Sequence, residues 1–156
     1  MRVHDGWAVA IGLKSMIEVV NRQRKRPIDC DSWQAFTTKA LRTARANGAG
    51  VTIAFVSDRR MREINRLWRK KTGTTDVLSF PAEQDEFEKP EGLNLGDVVI
   101  SVDQAARQAS ENGVEFEEEI SQLILHGVLH LCGYDHETDN GEMNHLERQL
   151  RRKLKI

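Results

Sequence analysis

The chain has 156 residues, 39% of them hydrophobic and 30% charged, which is the composition of ordinary globular material with enough apolar residues to bury one core. No apolar run is long enough to cross a membrane, and the start shows no basic segment followed by a signal-type apolar core, so the cytoplasm is the expected compartment. The net charge of -1 hides an asymmetry: residues 1–78 hold 16 Lys and Arg against 7 Asp and Glu, and the remaining half reverses the sign. The basic half is where an anionic partner would bind, through Arg22 to Arg26 and through Arg59, Arg60, Arg62, Arg66, Arg69, Lys70 and Lys71.

In chain order, Ile17 to Val20 reads as a short strand. Asp31 or Ser32 can cap a helix running to about Ala46, ended by Asn47-Gly48. Val51 to Val56 is rich in β-branched residues and is expected as a central strand. Ser57 or Asp58 then caps a helix with Met61, Ile64 and Leu67 or Trp68 as its apolar face, followed by a turn over Lys70 to Thr75. Val77 to Phe80 and Asp97 to Ser101 are two further strands. The acidic loop from Pro81 to Leu95 between them contains Pro and Gly and is expected to be mobile.

Asp103 to Glu111 reads as a helix stopped by Asn112-Gly113. Glu115 and Glu117 to Glu119 put negative charge at the start of the next helix, whose residues Ile120 to Leu131 are apolar nearly all round and therefore buried. A last helix, from about Asn140 to Lys153, places Met143, Leu146 and Leu150 on one face. Strands alternating with helices predict a single α/β or α+β domain built on a sheet of about four strands, with about five helices.

The chemistry concentrates in residues 126–136, His-Gly-Val-Leu-His-Leu-Cys-Gly-Tyr-Asp-His. His126 and His130 are four apart, so on a helix they share a face one turn apart and can close on one ion. Gly133 tolerates the left-handed conformation that would turn the chain and bring His136 back to the same point. Three imidazoles leave a fourth tetrahedral position open, which is the arrangement of a catalytic zinc. Cys132 would point away from the face of the two histidines and reads as packing, as His145 reads as a surface or packing residue. Asp135 is expected to cap the turn, and Asp76 and Asp97 to be structural groups at strand ends. Cys30 and Cys132 form no paired framework, which suits a reducing compartment.

The segment His126 to His136, together with Thr75-Asp76-Val77-Leu78-Ser79-Phe80-Pro81 and Leu95-Gly96-Asp97-Val98-Val99-Ile100-Ser101, resembles the bacterial endoribonuclease YbeY family. The likeness runs from about Ile17 to the C-terminus. It implies an α+β fold: a small mixed sheet flanked by helices, with the metal site on a buried helix and the following turn. It also implies a single-strand-specific endoribonuclease with one zinc, on His126, His130 and His136, acting in 16S ribosomal RNA 3′ end maturation and in ribosome quality control. Its partners would be ribosomal RNA and the small subunit or its assembly factors, with no membrane and no DNA. The family's functional arginine falls on Arg69. The family carries a tyrosine where Trp68 stands, and an aspartate and a proline near Thr72 and Thr74. Residues 1–15 lie outside the likeness, so the expected organisation is an N-terminal extension followed by one catalytic domain over residues 16–156.

Two other classes share these residues. His-x3-His-x2-Gly-x2-His is also the spacing of metzincin proteases, but those keep a glutamate directly after the first histidine as general base, and here that position is Gly127. A non-catalytic, zinc-stabilised ribosome-assembly protein is the third class, and the open coordination position weighs against it.

Overall fold

The computed structural model describes residues 17–83, 94–135 and 139–156. Its elements are β1 (Ile17–Asn21), α1 (Cys30–Thr43), β2 (Gly50–Val56), α2 (Asp58–Arg69), β3 (Val77–Pro81), β4 (Asn94–Ser101), α3 (Val102–Asn112), α4 (Phe116–Leu131) and α5 (Glu142–Leu154). The four strands form one sheet in the order β1-β2-β4-β3. β1, β2 and β4 run parallel, and β3 lies antiparallel on β4 at the edge. The expected α+β domain, with a small mixed sheet of four strands and five helices, is therefore what the described residues form.

Alternation along β2 explains the layering, since successive side chains point to opposite faces of a sheet. Val51, Ile53 and Phe55 enter the main core with Val98 and Ile100 of β4, where they meet Ile120, Ile124 and Val128 of α4, Leu41 of α1 and Ala105 of α3. On the opposite face Val56, Leu78 and Val99 pack against Met61 of α2. A third cluster joins Ala40 of α1 and Leu125 and Leu129 of α4 to Met143, Leu150 and Leu154 of α5. α4 is thus wrapped by the sheet, α1 and α5. The part of its surface that escapes full burial includes Gln122, His126 and His130, a stripe at four-residue spacing.

Several expected boundaries shift, each for a local reason. α1 is capped by Asp29, whose carboxylate accepts from the Ser32 amide, and not by Asp31 or Ser32. β4 begins at Asn94, so Asp97 sits inside the strand, opposite Phe80, and not at its end. α4 begins at Phe116, and Glu117 to Glu119 form its first turn, where the negative charge was expected. Of the loop expected over Pro81 to Leu95, residues 84–93 lie outside the described residues.

The larger correction concerns α2. Its buried residues are Asp58, Met61 and Asn65, while Leu67 and Trp68 are exposed. The last turn of the helix overhangs β3, and Trp68 meets the sheet through an edge contact with Phe80, ring centroids 6.3 Å apart. The two buried polar residues hold the following loop. Asn65 Nδ2 donates to the Gly73 carbonyl at 3.2 Å, and the Thr74 hydroxyl donates to Asp58 Oδ1 at 2.9 Å. Asp58 also accepts from the Ser101 hydroxyl at 2.6 Å and from the Arg107 guanidinium. Burial, the strongest single influence, pushes the Asp58 carboxyl up. The hydrogen bonds from Ser101, Arg107 and Thr74, with the Arg107 charge, outweigh it and hold the group below the usual carboxylate range.

Candidate functional site

A cleft of about 650 Å³ opens along β3, the edge strand. One wall carries Arg69 at the end of α2 and Asp76 to Ser79 leading into and along β3. The other carries His126 and His130 of α4, followed by Gly133, Tyr134 and Asp135.

His126 and His130 come together as their spacing predicts, with their Nε2 atoms 3.1 Å apart. The His126 ring is fixed from behind: its Nδ1 lies 2.7 Å from Oε1 of Glu147, a buried residue of α5. The other oxygen of Glu147 accepts from Arg151 at 2.9 Å. A carboxylate against Nδ1 keeps the ring proton on that nitrogen and turns the lone pair of Nε2 into the cleft, the tautomer a metal ligand needs. The pair fits a zinc ion: two nitrogens bound tetrahedrally at ordinary zinc–nitrogen lengths stand about 3.3 Å apart. Among the described residues no group of three His, Cys, Asp or Glu side chains is placed to hold a metal ion. His136, the third expected ligand, lies outside them.

The turn that leads towards His136 is built as expected. Gly133 adopts a left-handed φ of 102°. Its N–H donates to the His130 carbonyl at 3.0 Å, and the Tyr134 N–H donates to the Leu129 carbonyl at 3.1 Å. This is a Schellman ending, in which the glycine turns the chain three residues after the second histidine. Cys132 packs against the main core, and burial pushes its thiol up, away from the reactive thiolate. His145 is exposed on α5.

Gly127 has a structural cause. A Cβ there would stand 2.6 Å from Val98 Cγ1 and 2.9 Å from Cγ2, and the Ser79 hydroxyl donates to the Gly127 carbonyl at 3.3 Å. The residue after His126 therefore faces the sheet at contact distance. A side chain at this position could be housed only if Val98 gave way.

Arg69 lines the cleft opposite the histidines and makes no hydrogen bond or ion pair with any described residue. Asp76 is more embedded than a strand-end residue. Its carboxylate accepts from the Val77 amide at 2.8 Å and from the Thr75 hydroxyl at 3.3 Å, and its carbonyl from the Ser101 amide at 2.9 Å. Behind it lies the Gln108 side-chain amide, which with its nitrogen turned to the two acids donates to Asp76 Oδ2 at 3.0 Å and to Glu119 Oε2 at 3.1 Å. Burial first, and the nearby Asp76 charge second, push the Glu119 carboxyl up. Glu119 and Glu147 were not anticipated as partners of the site. The signal for Glu147 was present, since it falls between Met143 and Leu150 on the apolar stripe of α5, where an acid is buried and must find a donor.

The fold and site define a single-domain α+β protein with a histidine-lined cleft at the antiparallel edge of a mixed sheet. The solution structure of TM1509 from Thermotoga maritima has the same fold, with a TM-score of 0.59 at 23% identity over 89% of each chain. The profile of the family described as Endoribonuclease YbeY matches residues 18–155, and the chain belongs to that family. It is 41% identical over 138 residues to the Endoribonuclease YbeY of Koribacter versatilis, covering 88% of this chain and 86% of the relative. To that of Campylobacter jejuni strain 81-176 it is 52% identical over 100 residues, covering 64% of this chain and 72% of the relative.

Proposed function

We propose that this protein is a zinc-dependent, single-strand-specific endoribonuclease that acts in 16S ribosomal RNA 3′ end maturation and ribosome quality control. It works in the cytoplasm on ribosomal RNA in contact with the small subunit or its assembly factors. The observation that carries the reading is the pair of imidazole Nε2 atoms 3.1 Å apart in a cleft whose opposite wall presents the guanidinium of Arg69, unpaired among the described residues. Family membership supports the RNA substrate.

His126, His130 and His136 would hold one zinc per chain, and the ion would supply positive charge able to polarise water or a phosphoryl oxygen. The protein supplies the rest. Glu147 holds the His126 proton on Nδ1 and fixes the plane of the ring. Arg69 grips the phosphate through its planar fork of donors and offsets the charge that builds on it as the bond breaks. The Asp58 and Asn65 bonds fix the loop between Arg69 and β3, so the arginine wall keeps its distance from the histidine wall.

The metzincin-like protease reading loses its proton acceptor at Gly127, where the packing against Val98 leaves no room for a carboxylate. The non-catalytic reading gives no role to an unpaired arginine facing the two histidines. The deciding experiment measures bound metal together with cleavage of a labelled single-stranded RNA and of casein. Zinc near one per chain, RNA cleaved, casein intact, and RNA cleavage lost in a folded His130→Ala variant are the expected results. Absence of metal, or casein cut while RNA survives, overturns the reading.

A further inference from the structure

Among the described residues, three large hydrophobic side chains are exposed: Leu67 at 63%, Trp68 at 73% and Tyr134 at 40%. Of the two aromatic ones, one lines the cleft and the other adjoins a residue that does. Tyr134 lines its histidine wall. Trp68 precedes Arg69 on the other wall and touches Phe80, the strand neighbour of the cleft residues Ser79 and Pro81. α2 and α4 pack on opposite faces of the sheet, so the two rings stand on opposite flanks of the β3 edge. Arg66, Arg69, Lys70 and Lys71, the cations nearest Trp68 in the chain, make no ion pair with a described residue.

We infer that Trp68, with Tyr134 on the other flank of the β3 edge, is a stacking platform for unpaired bases of an RNA strand that crosses this edge at the cleft, and that this sets the preference for single strands. The inference rests on the endoribonuclease reading above. Exposed aromatic faces interleaved with unpaired cations are what a flexible polyanion with free bases can use: the cations follow the phosphates, and every base has a face to stack. A duplex offers the same phosphates, but its bases are already stacked on one another and cannot reach a ring at the rim. The edge contact with Phe80 orients the indole and leaves its surface open to a ligand.

The test uses the full chain and a fluorescein-labelled single-stranded RNA with 2′-O-methyl riboses, so that anisotropy reads binding without cleavage. Trp68→Ala is expected to weaken binding about tenfold or more, and Trp68→Tyr to stay within about threefold of the wild type. On a hairpin duplex of the same length Trp68→Ala should bind like the wild type, and its affinity should fall with salt as steeply, because no phosphate contact is lost. Trp68→Gln serves as a second non-stacking variant, with the thermal midpoint as a check that the exposed site leaves folding unchanged. Undiminished single-strand binding in both variants, or an equal loss on the duplex, overturns the inference while leaving the nuclease reading standing. A wild-type protein that binds no RNA overturns both.

Discussion

A single carboxylate, Glu147, decides which nitrogen of His126 faces the cleft. Its two oxygens are divided between the imidazole and Arg151, so the acid is held from both sides and cannot swing away when the ring turns. Such partners of a metal-binding histidine are worth about ten- to a hundredfold in metal affinity. Glu147→Gln should therefore raise the zinc dissociation constant by about tenfold or more, measured by competition with a chromogenic chelator. Unchanged affinity would show that His126 sets its own tautomer. Arg69 gives a different signature: Arg69→Ala should leave zinc content intact and lower RNA cleavage, since its guanidinium lies across the cleft from the histidines.

Among elements, α4 carries most of the design. Its histidine stripe is one narrow face of a helix otherwise sunk in apolar contacts, and it approaches β4 as closely as it does because residue 127 has no side chain. Val98 is β-branched and buried, with little freedom to turn aside. Gly127→Ala should cost about 1–3 kcal/mol in urea unfolding and displace His126 with the helix. Gly127→Glu should fail to fold, and should yield no peptidase. The i,i+4 pair and the glycine-capped turn were legible in the sequence because helical periodicity and left-handed glycines are local rules. The run Val51 to Val56 was legible for the same reason, since it is a dense β-branched segment. What periodicity could not reveal was contact between elements. Leu67 and Trp68 have the spacing of an apolar face, yet α2 runs past the sheet there, and the burial went to Asp58 and Asn65 instead. Glu147 and Glu119 are not legible because their partners lie on other helices, and the sequence shows at Gly127 only an absent base, not its contact with Val98.

At the scale of the whole molecule, Asp58 joins parts that the chain keeps far apart: the start of α2, the loop at Thr74, the end of β4 at Ser101, and Arg107 of α3. Its folded-state carboxyl titrates below the ordinary value of 3.8, so its contribution is fully present above that value and is lost as pH falls through the depressed one. Asp58→Asn should cost about 2 kcal/mol at pH 7, and the gap from the wild type should narrow in urea titrations carried below pH 3.8. A gap that stays constant down to pH 2 would remove the ionised carboxylate from the account.

The packing of α5 on α4 also has a consequence in time. A chain emerges in order, and domains begin to organise from the N-terminal side. Synthesis that has reached the end of α4 has made His126 and His130, but not yet Glu147. Until α5 docks through Met143 and Leu150, His126 can carry its proton on either nitrogen, and the cleft has its walls without a settled pair of donors. The last described helix to be made is thus the one that arms the site, and a chain truncated before it would keep the histidines and lose their preparation.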